Sequence, residues 1–237
     1  MQFSAPIYIL KRKARLLARE TDAPLHQALD KVAAREGYRS WSHLASSKDN
    51  EHLAQDVLLQ LNSGDLCLVG ARPGQGKTRV GLTLAAQASC LERKGYFFTL
   101  EYHAGDVVDL LTDVGVDPRS AKSAVVVDTS DDISADYIIR RLSAETAPAL
   151  IVVDYLQLLD QKRSHPSLDD QMRSLRHYVD ETGAICALIS QIDRAFDLGG
   201  KPMPGVSDIR LPNPLDLSVF KKFFFLHNGK IRLHKDA

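Results

Sequence analysis

Cysteine, tryptophan and methionine are scarce in this chain: its 237 residues hold three cysteines, one tryptophan and three methionines. An odd number of cysteines, scattered at Cys67, Cys90 and Cys186, argues against a disulfide framework and offers no zinc spacing. All three lie in apolar runs and are expected to behave as small buried hydrophobes. The eight histidines show no metal-ligand spacing either. No apolar run reaches the length of about 18 residues that a membrane helix needs, so no membrane partner is expected. The first residues lack an apolar segment followed by a cleavage site, so no secretion signal is read and a cytoplasmic location is expected. Net charge is absent as well, with 30 Lys and Arg against 30 Asp and Glu, so no global field points to nucleic acid. The distribution is less even: Lys11, Arg12, Lys13, Arg15 and Arg19 face Glu20 alone in the first 20 residues. A basic face of this kind can contact phosphate backbone, or it can be simply the solvated side of a helix.

What the chain does have is the run Ala71-Arg72-Pro73-Gly74-Gln75-Gly76-Lys77-Thr78. It follows the apolar Leu66-Cys67-Leu68-Val69 and precedes a helical pattern of Val80, Leu82, Leu84, Ala85 and Ala88. Strand, glycine-rich loop and helix in that order form the context a phosphate loop requires. Gly74 and Gly76 can bring backbone amides close to a ligand, and the helix that follows presents free N–H groups to the same anion. Lys77 is then expected to reach the β- and γ-phosphates of ATP, and the Thr78 hydroxyl to hold Mg²⁺. The first position of the loop is Ala71 where glycine is usual, with Gly70 just before it.

Residues 1–45 read as a small helical module. Ile7, Leu10, Ala14 and Leu17 lie at helical spacing, and Leu25, Ala28, Leu29, Val32 and Ala33 form a second stripe with Pro24 at its start and Gly37 at its end. Ser40 suits the cap of a short third helix carrying Trp41 and Leu44. The polar stretch Ser46–Asn50 is expected to be a linker, which divides the chain into residues 1–50 and 51–237. Beyond it, strands are expected at 66–70, 96–100, 124–128, 149–153 and 184–189, and helices at about 78–92, 104–114, 134–146 and 167–182. That alternation implies an α/β fold with a mostly parallel sheet flanked by helices. Phe220–Leu226 and Lys230–His234 around Asn228-Gly229 predict a C-terminal β-hairpin. Residues 192–215 form a long loop with Pro202, Pro204, Pro212 and Pro214, and loops of that length are usually functional.

Three strand ends carry polar groups. Asp154 ends the run Leu150–Val153, where a carboxylate faces the ligand crevice and can hold Mg²⁺ together with Thr78. Glu101 follows the strand ending at Leu100 and is the best-placed group to activate water, although a solvated glutamate also fits that position. Ser190-Gln191 ends a third strand, where the amide either senses the γ-phosphate or lies on the surface.

In order, these residues resemble the RecA-like ATPase domain of the DnaB-type replicative helicases. The likeness runs through Gly64-Asp65-Leu66, Ala71-Arg72-Pro73 with Gly76-Lys77-Thr78, Thr99-Leu100-Glu101, Asp154-Tyr155-Leu156-Gln157, Ser190-Gln191 and Ser207-Asp208-Ile209-Arg210, and covers about residues 55–234. It implies a RecA-like P-loop ATPase fold with Glu101 as catalytic carboxylate, Asp154 as metal ligand and Gln191 as γ-phosphate sensor. It also implies a hexameric ring, with Arg194, Lys201 and Arg210 facing single-stranded DNA, and a finger supplied by a neighbouring subunit, for which Arg232 is the candidate. The chain departs from that family in having only the short helical module where a large helical domain and linker helix are expected. Asn228-Gly229 equally fits a plain hairpin turn. The expected function is ATP-driven DNA unwinding or translocation, in replication of chromosomal or mobile DNA. The alternative is a RecA-fold accessory ATPase that uses ATP to choose oligomeric state or partner. Residues 1–45 are a candidate contact for a replication protein.

Overall fold

The computed structural model describes residues 4–5, 7–21, 23–116, 125–159, 162, 165–211 and 213–235. Pro212 of the expected loop, residue 124 of an expected strand and the side chain of Ile7 lie outside what is described. The chain opens with α1 (Ile7–Thr21), α2 (Leu25–Arg35) and α3 (Trp41–Leu58). Leu10, Ala14, Val32, Ala33, Tyr38 and Leu44 form a small core of their own, against which Leu17, Leu29 and Trp41 pack. Leu25, expected in the second apolar stripe, is exposed at the first turn of α2, where the chain enters the helix from Pro24. The five cations of α1 are all exposed.

The expected linker is helical, because α3 runs unbroken through Ser46–Asn50. Polar composition is a weak signal against helix when both flanks are anchored by packing. Here Leu44 belongs to the N-terminal core, while Leu53, Ala54, Val57 and Leu58 belong to the core beside the sheet. One helix therefore joins the two packing units.

The sheet has the order β3-β2-β4-β5-β1-β6-β7. Its strands are β1 (Leu66–Ala71), β2 (Lys94–Thr99), β3 (Val125–Asp128), β4 (Ala149–Asp154), β5 (Ile185–Gln191), β6 (Lys222–His227) and β7 (Lys230–Lys235). All neighbours pair in parallel except β6 and β7. Central strands are apolar on both faces, as a sheet covered on both sides requires. Leu66, Leu68, Ile151, Val153, Cys186 and Leu188 face one core, and Cys67, Val69, Leu150, Val152, Ile185 and Ala187 face the other. The first is covered by α6 (Ala135–Leu142) and α7 (Leu168–Thr182), and the second by α3, α4 (Lys77–Ala86) and α5 (Ala104–Asp113). The N-termini of α6 and α7 are capped by Ser134 and Ser167.

The expected helix at 78–92 breaks after Ala86 into a tight turn, Ala88–Leu91. That turn leaves Cys90 exposed, against the expectation that all three cysteines are buried; Cys67 and Cys186 are buried, and burial pushes the Cys186 thiol up to about 12. The hairpin forms as expected, with Asn228 at φ 49° and Gly229 at φ 68°, the paired left-handed residues of a two-residue turn. At the far end of the same strand pair, the buried Lys222 ammonium donates to Asp65, whose carboxylate also accepts from the Asn62 backbone. The 192–215 loop is not extended: it holds α8 (Ala195–Leu198) and folds back so that Ile192 bridges Ile209.

Candidate functional site

Parallel pairing brings the carboxyl ends of four strands to one edge of the sheet. Ala71 stands opposite Gln191, and Thr99 opposite Asp154. The edge opens into a cleft of about 410 Å³ lined by Pro73, Gly74, Lys77, Thr78, Glu101 and Gln191 among others. Ala71 is the last residue of β1 and is fully buried, paired to Gln191 on one side and Leu226 on the other. A strand position tolerates Cβ, which explains why alanine stands where the motif usually has glycine. Gly76 does need its freedom. At φ 81° it starts α4, and a Cβ there would meet the Asn50 side-chain oxygen at 2.8 Å. Among the described residues no side chain caps α4, so its first amides stay open toward the cleft.

Lys77 is buried, with its Nζ 3.2 Å from Glu101 and 3.6 Å from Asp154. It also lies 5.0 Å above the ring of Tyr155. Burial pulls the ammonium down, but Asp154 and Glu101 more than offset it, so the group is held above its ordinary value. Asp154 is fully buried, and among the described residues neither carboxylate oxygen has a hydrogen-bond partner. Burial raises its carboxyl above the usual range against the opposing charge of Lys77. The neighbouring Thr78 hydroxyl works against that rise, as Lys77 does. Two orphaned carboxylate oxygens beside a threonine hydroxyl fit a hard divalent cation, which takes oxygen ligands. Among the described residues no cluster of three His, Cys, Asp or Glu offers another metal site.

Gln191 lines the cleft, and its oxygen lies 3.4 Å from an Arg210 guanidinium nitrogen. Gln157, the last residue of the Asp154-Tyr155-Leu156-Gln157 motif and given no role from the sequence, braces this edge. Its amide nitrogen donates to Ser190 Oγ at 2.8 Å and to the Arg210 carbonyl at 2.7 Å, and its oxygen accepts from the Gln191 N–H. Tyr102, also missed, lines the cleft beside Glu101, and burial raises its phenol. Arg79 pairs with Asp113 at 3.1 Å on the cleft's outer wall. No local spacing could have flagged Tyr102 or this ion pair.

Of the cations expected to face DNA, Arg194 is exposed and has no ion pair among the described residues. Lys201 is held by Asp208 at 2.7 Å, while Arg210 turns to Gln191 as above. Arg232 lies on β7 and donates to the Pro204 carbonyl of its own chain at 3.0 Å. Within the phosphate loop, Arg72 reaches away from the cleft to Asp197 and the Ile192 carbonyl, and Gln75 accepts from the Asn228 N–H at 2.8 Å.

The chain matches no protein-family model. Its fold is similar to that of solved structures. One is described as an ATPase domain, at 19% identity over 71% of each chain with a TM-score of 0.57. A second is a DnaB-like replicative helicase described with its interactions with primase, at 18% identity and a TM-score of 0.58, over 93% of this chain and 66% of that one. A third is a KaiC-like protein of Pyrococcus horikoshii, at 18% identity and a TM-score of 0.52, over 68% of this chain and 70% of that one. At these identities the likeness is one of fold, and that fold is RecA-like. Among the described residues no helix is long and apolar enough to cross a membrane.

Proposed function

We propose that this chain is a magnesium-dependent ATP hydrolase whose turnover is coupled to single-stranded DNA, as in a DnaB-like helicase or translocase. One observation carries the reading: among the described residues, a buried carboxylate, Asp154, with no hydrogen-bond partner, faces Lys77 at the mouth of an uncapped phosphate-loop helix. Ala71 to Thr78 would wrap the phosphates, Arg72, Pro73 and Gln75 contributing backbone and fixing the loop. Asp154 and the Thr78 hydroxyl would hold Mg²⁺, which when bound neutralises charge on the β- and γ-phosphates.

The Lys77 ammonium donates to the Glu101 carboxylate at 3.2 Å. Phosphates arriving in the loop compete for the ammonium, leaving Glu101 to orient a water and take its proton. The water oxygen bonds to the γ-phosphorus as the bond to the β–γ bridging oxygen breaks, giving ADP and phosphate. Gln191 would sense the γ-phosphate, and Arg194, with Lys201 and Arg210, would face the strand. Arg232 would reach a neighbouring subunit's phosphate in a ring, and residues 1–45, joined to the sheet through α3, would meet a replication partner.

A second reading, a nucleotide-switched accessory ATPase, is favoured by the engagement of Lys201 and Arg210 within the chain, which leaves the loop fewer open cations. ATP turnover measured with and without single-stranded DNA separates the two. DNA-stimulated hydrolysis, reduced about 10²–10⁴-fold by Glu101→Gln, supports the motor. Hydrolysis indifferent to DNA supports the switch, and turnover intact in Glu101→Gln removes that residue's role.

A further inference from the structure

Arg72 occupies the second position of the phosphate loop, yet its guanidinium is spent elsewhere. Its Nε lies 3.2 and 3.0 Å from the two carboxylate oxygens of Asp197, and Nη2 lies 2.8 Å from one of them. Nη1 donates to the Ile192 carbonyl at 3.0 Å. This is the fork-on-carboxylate geometry that gives arginine its directional hold. The same residue's carbonyl accepts from the Gln75 N–H at 3.3 Å, so Arg72 also builds the first turn of the loop. A shift of that turn therefore moves the guanidinium with it.

The segment it grips begins one residue after Gln191. Asp193 bonds through its N–H to the Asp208 carbonyl at 2.8 Å and through its carboxylate to the Ala195 N–H, also at 2.8 Å. Phe196 is buried edge-on against the His227 ring at 5.1 Å. Segment 192–198 is thus a compact unit held to the phosphate-loop side at both ends, by Ile192, whose N–H donates to the Ala71 carbonyl and whose carbonyl accepts from Arg72, and by Asp197 on the Arg72 guanidinium. Hairpin contacts close the frame, with Gln75 accepting from Asn228 and Arg232 donating to Pro204. The Asp197 side chain is 52% exposed, so solvent screens the pair.

We propose that Arg72 and Asp197 form a clasp that transmits phosphate-loop occupancy to segment 192–198. The inference rests on the proposed nucleotide site and not on DNA being the partner. Hydrogen exchange of the full chain is measured with and without Mg–ATPγS, for wild type, Asp197→Ala and Asp197→Asn, alongside the affinity for Mg–ATPγS by calorimetry. Asp197 lies outside the cleft lining, so both variants still bind the analogue, with an affinity changed by no more than the several-fold factor that reciprocal coupling requires. In wild type, binding alters exchange at residues 192–198 several-fold, and both variants lose that response while keeping the one at residues 72–78. A response at 192–198 that survives in the variants, or is missing from wild type that binds the analogue, overturns the clasp and leaves the nucleotide site standing. No binding by wild type removes the site and the clasp with it.

Discussion

Lys77 meets competing demands: it is buried, it faces two carboxylates, and it must stay charged to serve a triphosphate. The structure meets all of them by letting Asp154 and Glu101 outweigh the cost of burial, which raises its pKa above the ordinary 10.5. A group raised on folding contributes stability that is fully present below its unfolded value and is lost as pH rises through its folded value. The gap in urea midpoint between wild type and Lys77→Met is therefore expected to be largely lost as the wild type gives up this contribution at strongly alkaline pH. On the acid side the gap also changes, because Lys77→Met removes the charge that opposes the burial-raised Asp154 carboxyl. A gap that stays undiminished into strongly alkaline solution would contradict the assignment. At this scale the sequence was most legible where a motif ties residue type to position. Lys77, Thr78, Glu101, Asp154 and Gln191 all gather at one edge as expected. Tyr155 under the ammonium, Asn50 beside Gly76 and Gln157 behind Gln191 were not assigned roles, because each acts through a contact between distant segments that no local spacing encodes.

Elements follow the same division between local and long-range signals. The strands were readable from continuous apolar runs and the hairpin from Asn228-Gly229, since both are local properties. The end of α4 was not, because it is set by β2 packing against it. Gly95 in β2 lies so close that a Cβ there would sit 1.7 Å from the Ala85 carbonyl oxygen. That carbonyl belongs to the last turn of a helix fixed at its other end by the phosphate loop, so it cannot withdraw without moving the site. Gly95→Ala is expected to destabilise the protein by about 1–3 kcal/mol and to weaken nucleotide binding, as read by denaturant midpoint and calorimetry. A variant with wild-type stability would show that α4 is free to slide. The linker expected at Ser46–Asn50 failed for a related reason: polar residues tolerate helix when apolar anchors such as Leu44 and Val57 hold both ends.

Across the whole molecule, one sheet edge collects the chemistry while the two faces supply rigidity, and α3 joins the N-terminal core to the sheet beside the phosphate loop. The RecA-like fold was legible because strand–helix alternation and motif order agree with each other, which is what consistent signals across levels give. The course of the 192–215 loop was not, since its folding back depends on Ile192 meeting Ile209 and on Arg72 gripping Asp197. The account as a whole turns on a single metal–triphosphate site assembled from Thr78, Lys77 and Asp154. It is tested most directly by calorimetric titration of the full chain with ATPγS, in magnesium and in EDTA, for wild type and Asp154→Asn. One site per chain is expected, with wild-type affinity falling at least about tenfold (about 1.4 kcal/mol) when magnesium is removed and Asp154→Asn insensitive to the metal. Absence of binding, or binding equally strong with and without magnesium, would contradict it.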